Sequence, residues 1–349
     1  MRANGFAYSS PNGPFSGIEY ALEPADTEVV VQVAGCGLCH TDVGFHAGEV
    51  APRATLPLVL GHEIAGTVVQ AGREFEPLLG KRVIVPSVVP CGRCERCRAG
   101  SENTCARQFM PGNDGHGGFA SHVKVPGTGL CLLPEELGGY ELHELSVIAD
   151  ALTTPWQAVQ RSGLKAGDVA VVVGVGGVGT YGVQLAAARG ARVLALDIED
   201  AKLARIGRYG ASAVLNVQGM DVKAARKAVR AAIAAMDAPD FGWKVFEMSG
   251  SPAGQELAYA LLPPAGTLAV VGFTPKPLTL KLSALMALDA TAFGNWGCAP
   301  RHYPDALQLV LSGKVTLKPF VKSYPLGQIG ELFEAAHAGR LTERAILRP

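Results

Sequence analysis

No sign of charge prevails in this sequence: 31 Lys and Arg residues balance 31 Asp and Glu. A neutral chain has no global field for nucleic acid or an anionic membrane, so neither is expected as a partner. Local basic patches stay compatible with that balance. An export signal is not expected either, because MRANGFAYSS shows no charged segment followed by an apolar one. Repeats and low-complexity segments are absent. Only the stretch 169–188 could pass for a membrane helix. Five glycines and the polar Thr180, Tyr181 and Gln184 interrupt it, so no lipid span is expected. The expectation is a soluble, cytoplasmic protein.

Charged residues are few, at 18%, against 48% hydrophobic residues, which excludes disorder as the main state. The 349 residues exceed the size at which single cores stop growing, ~250–300, so two domains are expected. Glycine is plentiful, at 43 residues, and without a repeat it points to tight turns and close backbone approaches.

Up to about residue 150, short β-rich runs are broken by Gly and Pro, and 28–33, 63–70 and 81–85 read as strands of a mostly antiparallel domain. From about Thr153 the rhythm becomes strand–helix–strand. Strands are expected at 169–173, 192–196, 213–215, 243–247 and 267–271, and helices at 178–188, 202–209 and 223–235. Such alternation builds a doubly wound parallel sheet. After about Asn295 the first composition returns, so the sheet domain looks inserted between two parts of the other.

Gly174, Gly176, Gly177 and Gly179, with Val178 before the last, fit G-x-G-x-x-G between an apolar strand and a helix. Glycines there let backbone approach a pyrophosphate at the helix N-terminus. Asp197 ends the next strand 18 residues after Gly179. It would accept hydrogen bonds from the adenosine ribose and repel a 2′-phosphate, favouring NAD over NADP. The alternative is a sheet turn without ligand.

Eight cysteines are present, four of them crowded as Cys91, Cys94, Cys97 and Cys105. Four thiolates at this spacing can close a tetrahedral zinc site from one loop, with no open position, hence a structural one. Local disulfides or free thiols are the alternative. Cys36 and Cys39 are spaced like a redox pair but lack a thioredoxin-like context. His62 taken singly reads as a structural histidine.

The segments GCGLCHTD (35–42), GHEIAGTV (61–68), CGRCERCRAGSENTC (91–105), the GVGGVG turn and ERAIL (343–347) together resemble the zinc-dependent medium-chain alcohol dehydrogenase family. The resemblance runs over essentially the whole chain. It implies an α/β fold: a GroES-like β-rich catalytic domain, 1–151 and 296–349, with the structural zinc lobe, and a Rossmann NAD-binding domain, 152–295. Cofactors would be NAD and two zinc ions per chain. By the same resemblance Cys39 and His62 bind catalytic zinc, Glu63 lies beside or on it, and Asp150 is the last ligand. Asp150 as a mere helix N-terminal carboxylate is the alternative. Cys39 and Asp150 would leave Zn²⁺ about neutral with one open position.

Thr41 matches the hydroxyl that bonds the alcohol and relays its proton, and Asp42 the carboxylate that orients the histidine ligand. Lys202 matches an adenosine-ribose contact and Arg344 a pyrophosphate contact. Where many relatives carry a proton-relaying histidine, this sequence has Gly44, with His46 nearby. The implied reaction lowers the pKa of a zinc-held hydroxyl and passes hydride to nicotinamide. A small-molecule alcohol is the expected partner, in a homodimer or homotetramer. The stretches SVVPCGRCERCRAGSENTC, MPGNDGHGGFASH and GNWGCAPRHYPDALQLVLSGKV further resemble members that oxidise a ring alcohol beside a CoA thioester. A zinc-free quinone or enoyl reductase would lack the metal residues. A zinc-bearing binding module would need neither the glycine turn nor Asp197.

Overall fold

A computed structural model describes residues 1–349. The chain divides into two compact units: Met1–Thr153 with Gly297–Ser312 and Leu317–Pro349, and Thr154–Trp296 with Gly313–Thr316. In chain order the first unit begins with β1 (Arg2–Tyr8), β2 (Ser16–Ala21), β3 (Glu28–Gly37), α1 (His40–Ala47), β4 (Leu58–Val59), β5 (Glu63–Ala71) and β6 (Arg82–Val85). It continues through α2 (Glu95–Arg98), β7 (His122–Pro126) and β8 (Cys131–Leu132). Then come α3 (Thr153–Arg161), β9 (Val169–Val173), α4 (Gly179–Ala188), β10 (Arg192–Asp197), α5 (Asp200–Ile206), β11 (Ala213–Asn216) and α6 (Val222–Ala235). The second unit closes with β12 (Lys244–Glu247), α7 (Pro252–Ala260), β13 (Thr267–Val270), α8 (Ser283–Leu288) and β14 (Thr291–Gly294). The first unit resumes with α9 (Tyr303–Leu311), β15 (Val321–Pro325), α10 (Ile329–His337) and β16 (Arg344–Arg348).

In the first unit a seven-stranded sheet has the order β15-β16-β3-β5-β6-β8, with β7 also paired to β3, and a small sheet has the order β2-β1-β4. Valines 29, 31 and 33 of β3 pack with Ile64 and Val68 of β5 and Val83 and Val85 of β6 in one core. Full burial of each such side chain stabilises the fold by roughly 1.5–3 kcal/mol. A register shift between Val33 and Gly35 bends β3, after which Gly37 pairs with Glu63. That pairing sets the floor of the site described below.

The second unit is a six-stranded, all-parallel sheet, β11-β10-β9-β12-β13-β14. Strand β9, VAVVV, is buried at every residue, as a strand covered on both faces must be. Sequence order reverses beside β9, and a crevice at the carboxyl ends of strands is where such sheets take ligands. Helix α6 buries Ala225, Val229 and Ile233, four residues apart, and Asp221 caps it by accepting from the Ala224 N–H at 2.7 Å. The Gln184 side chain bonds both Thr316 backbone groups, which ties Gly313–Thr316 to this unit.

Boundaries differ modestly from expectation. Helix α5 starts at Asp200 rather than Lys202, because an acidic residue suits a first helical turn, and stops before Gly207. Strand β3 runs four residues further than expected, to Gly37. No helix is long and apolar enough to cross a membrane.

Candidate active site and metal centres

Cys39, His62, Glu63 and Asp150 each bring one ligand atom to a common point, all within 4.8 Å of one another. Cys39 is the N-cap of α1, directly after β3. Glu63 opens β5 with His62 directly before it, and Asp150 follows the 3₁₀ segment Leu142–Ala149. The Asp150 Oδ2 lies 3.6 Å from His62 Nε2 and 3.7 Å from Cys39 Sγ.

Asp42 is fully buried and organises this cluster. Its Oδ2 accepts from the Cys39 N–H at 3.0 Å; its Oδ1 accepts from the Gly61 N–H at 3.0 Å and from His62 Nδ1 at 3.1 Å. The carboxylate can only accept, so His62 carries a proton on Nδ1 and points Nε2 to the common point. Burial alone would lower the His62 pKa, but the charges of Asp42 and Cys39 and the bonds to Asp150 and Asp42 hold it well above its ordinary value. The surroundings therefore favour positive charge here.

Glu63 is fully buried, and its Oε1 accepts from Arg344 at 2.7 Å and from the Ala151 N–H at 3.2 Å. Its Oε2 has no hydrogen-bond partner. Burial raises its pKa to about 7, against the lowering charge of Arg344. A Cβ on residue 37 would collide with Oε2, so the facing strand carries glycine. A largely buried, acid-rich cluster of thiol, imidazole and carboxylates with an orphaned carboxylate oxygen is a donor set that Zn²⁺ accepts.

Thr41 is exposed, its Oγ1 3.8 Å from the Cys39 sulfur. Arg344 is buried against Glu63 and also donates to the Leu38 carbonyl at 3.3 Å. His46 is buried too. Its Nε2 donates to the Gly13 carbonyl at 2.8 Å, its Nδ1 meets His337 at 3.1 Å, and its ring stacks on Phe15.

Cys91, Cys94, Cys97 and Cys105 form the second cluster, again within 4.8 Å, and all eight cysteines are free thiols rather than disulfides. Backbone N–H groups of Cys91 and Arg107 donate to Cys105 Sγ at 3.3 Å each. Desolvation would raise the Cys91 pKa, but hydrogen bonds from Arg93, Cys105, Cys94 and Arg107 bring it down to about 6. Desolvation pushes Cys97 up to about 12. Four converging sulfurs with N–H donors suit a tetrahedral thiolate site.

In the second unit, Gly174 has φ +87°, and a Cβ there would come 2.6 Å from Ser249 Cα. A Cβ on Gly179 would strike the Gly174 carbonyl. Gly176 differs, for a Cβ there would meet no atom within 4 Å, and Gly177 is exposed beside it. Protein packing thus explains the outer glycines, and the open middle of the turn fits a pyrophosphate. The Asp197 Oδ2 accepts from the Val175 N–H at 2.8 Å, and Oδ1 from Ile198 and Glu199 N–H at 2.8 and 3.1 Å. The carboxylate is fixed against the turn. Lys202 pairs with Glu199.

Ser87, Tyr303 and the Glu63–Arg344 pairing carried no signal in the sequence, since their partners lie 63 to 281 residues away.

Residues 25–135 match the alcohol dehydrogenase GroES-like domain, and residues 177–312 the zinc-binding dehydrogenase domain. An alcohol dehydrogenase of Geobacillus stearothermophilus is 31% identical over 324 residues, 92% of this chain and 91% of that protein. The sorbitol dehydrogenase of Bacillus subtilis is 28% identical over 88% of this chain and 86% of its own length. The crystal structure of the alcohol dehydrogenase from Aeropyrum pernix superposes with a TM-score of 0.88 at 28% identity, covering 99% of this chain and all of that one. The scaffold is thus a GroES-like domain joined to a Rossmann-like one, in the class of zinc-binding oxidoreductases. The chain belongs to the alcohol dehydrogenase family, enzymes that act on CH–OH groups with a nicotinamide cofactor.

Proposed function

We propose that the chain oxidises a secondary alcohol to a ketone with NAD, using one catalytic and one structural zinc ion. The reading is carried by the convergence of Cys39, His62, Glu63 and Asp150 around buried Asp42. Cys39, His62 and Asp150 would hold the catalytic ion, and Cys91, Cys94, Cys97 and Cys105 the structural one. Glu63, anchored by Arg344, would stand beside the catalytic ion as a reserve carboxylate. When bound, that ion supplies positive charge that favours the ionised alcohol, and NAD accepts the hydride.

The chain's own residues do the rest. Asp42 fixes the tautomer and aim of His62 and, through the Cys39 N–H, the start of α1. Exposed Thr41 takes the proton of the substrate hydroxyl and passes it outward. The open turn at Gly176 receives the pyrophosphate, while Asp197 faces the adenosine ribose and disfavours a 2′-phosphate, with Lys202 nearby in sequence. Arg344 also offers positive charge to the cofactor phosphates. The unit built on residues 1–151 and 296–349 acts as the catalytic domain and 152–295 as the cofactor domain. Exposed Phe273, Leu282 and Met286, with β14 ending the sheet, support assembly as a homodimer or homotetramer.

For the substrate, the stretches around 87–105, 110–122 and 294–315 favour 6-hydroxycyclohex-1-ene-1-carbonyl-CoA, oxidised to its 6-oxo ketone in anaerobic benzoyl-CoA breakdown. A general secondary-alcohol or polyol dehydrogenase is the second reading, favoured by the relatives' names. A steady-state screen with NAD of cyclic alcohols, polyols and the CoA thioester separates them. NADH formation confined to the thioester supports the first, equal rates on free alcohols support the second, and none with any alcohol overturns both.

A further inference from the structure

We propose that Ser87 is a positioning residue that dictates how Asp150 grips the catalytic metal, an inference that rests on Asp150 being a ligand. Ser87 follows β6 and is 3% exposed. Its hydroxyl donates to Asp150 Oδ1 at 3.3 Å. The other oxygen, Oδ2, is the one near His62 Nε2 and Cys39 Sγ. The two carboxylate oxygens are thereby given different tasks.

The serine is itself anchored to the segment it serves. Its N–H points to the Ala149 carbonyl and to the Tyr303 hydroxyl, each at 3.3 Å, and Tyr303 donates to the same carbonyl at 2.5 Å. Tyr303 is fully buried on α9. Residues 87, 149, 150 and 303 therefore hold one another in register, from three separate parts of the chain.

The chemical need follows from the ligand type. A thiolate at this place would offer one donor atom, whereas a carboxylate offers two. If both oxygens bound, they would fill the position that a substrate hydroxyl requires, since catalytic zinc sites keep one place open beyond three protein ligands. A hydrogen bond to Oδ1 withdraws charge from that oxygen and turns it from the metal. Ser87 thus keeps Asp150 one-handed and the substrate position free. Without the hydroxyl, Oδ1 loses that donor and is no longer held away from the metal.

The test replaces zinc by Co²⁺ in the full chain and reads its visible absorption, which is intense for four-coordinate and weak for five-coordinate cobalt. The four-cysteine site contributes equally to every variant, so differences report the other centre. Ser87→Ala and Ser87→Gly should retain both metal ions but lose at least about two-fold of the second centre's absorption. Their kcat/KM should fall ~10-fold or more, mainly through KM, as removal of a residue that orients a metal ligand does. Ser87→Thr should restore both readouts. Wild-type spectra and kcat/KM within two-fold in both deletion variants would overturn the proposal. Asp150→Ala separates the two levels. If metal content and spectrum survive that change, Asp150 is no ligand and the proposal falls with it. If they are lost while Ser87→Ala stays normal, only the role of Ser87 is wrong.

Discussion

Asp42→Asn is the sharpest single probe of the site, because it changes one atom and leaves shape alone. The carboxylate accepts three hydrogen bonds inside the protein, from the Cys39 N–H, the Gly61 N–H and His62 Nδ1. An amide must point its NH₂ at one side. Facing Gly61 and His62, it would oppose two donors; facing Cys39, only one. The second orientation is cheaper, so the cap of α1 is the bond that breaks. One charge-assisted hydrogen bond contributes about 1.5–3 kcal/mol, and the two that remain weaken as the charge disappears. The variant should fold but melt measurably lower. With its orienting carboxylate neutralised, His62 should hold metal ~10–100-fold less tightly, or about 1.4–2.7 kcal/mol. Competition with a chromophoric chelator reads this directly: one zinc per chain becomes labile while the four-cysteine ion keeps its affinity. Two zinc ions with wild-type affinity and an unshifted melting temperature would refute the reasoning.

Asp197→Gly should move the NADP-to-NAD preference by at least ~10-fold in kcat/KM. It should also loosen the turn through the lost Val175 bond, and an unaltered ratio would mean that Asp197 does not face the ribose. Cys39→Ala should remove turnover and one zinc from a folded protein, whereas Cys97→Ala should cost folding itself, as measured by circular dichroism with metal analysis. Burial, with some help from His337 and against the bond to Gly13, lowers the His46 pKa from 6.5. The neutral ring's contribution to stability is therefore complete above pH ~6.5 and is lost as pH falls through the folded value. Melting curves of His46→Phe should fall less steeply with acid than wild type, and parallel curves would dismiss the linkage. Given the cyclohexenoyl thioester as substrate, the ketone product is a doubly activated alkene. Incubating it with enzyme should yield a product heavier by one water, and a rate no greater than without enzyme would end that idea.

Contiguous features were legible in the sequence. The glycine turn and the four-cysteine loop each lie within fifteen residues, so spacing alone exposes their chemistry. Cys39, His62 and Asp150 meet only because β3 pairs antiparallel with β5 and a 3₁₀ segment returns Asp150 beside them. No periodicity encodes that meeting, and the family resemblance supplied it. Ser87 and Tyr303 were invisible for the same reason, being an ordinary serine after a strand and an ordinary tyrosine on a helix. Strands β14 to β16 escaped because they are short, of mixed polarity and partly exposed. Their places are decided by the partners they pair with.

Glu63 leaves the ribosome 281 residues ahead of Arg344, the cation that meets it. Throughout that delay this fully buried carboxylate lacks its counter-charge, and burying it unpaired would cost several kcal/mol. The second unit has no such debt, since all six of its strands have emerged by Gly294. The sheet of the outer unit is complete only once β16 stands between β15 and β3, whereas that of the middle unit needs nothing beyond β14. A ribosome stalled, or a frameshift, just ahead of Arg344 would accordingly damage the chemistry around Cys39, some three hundred residues upstream of the lesion.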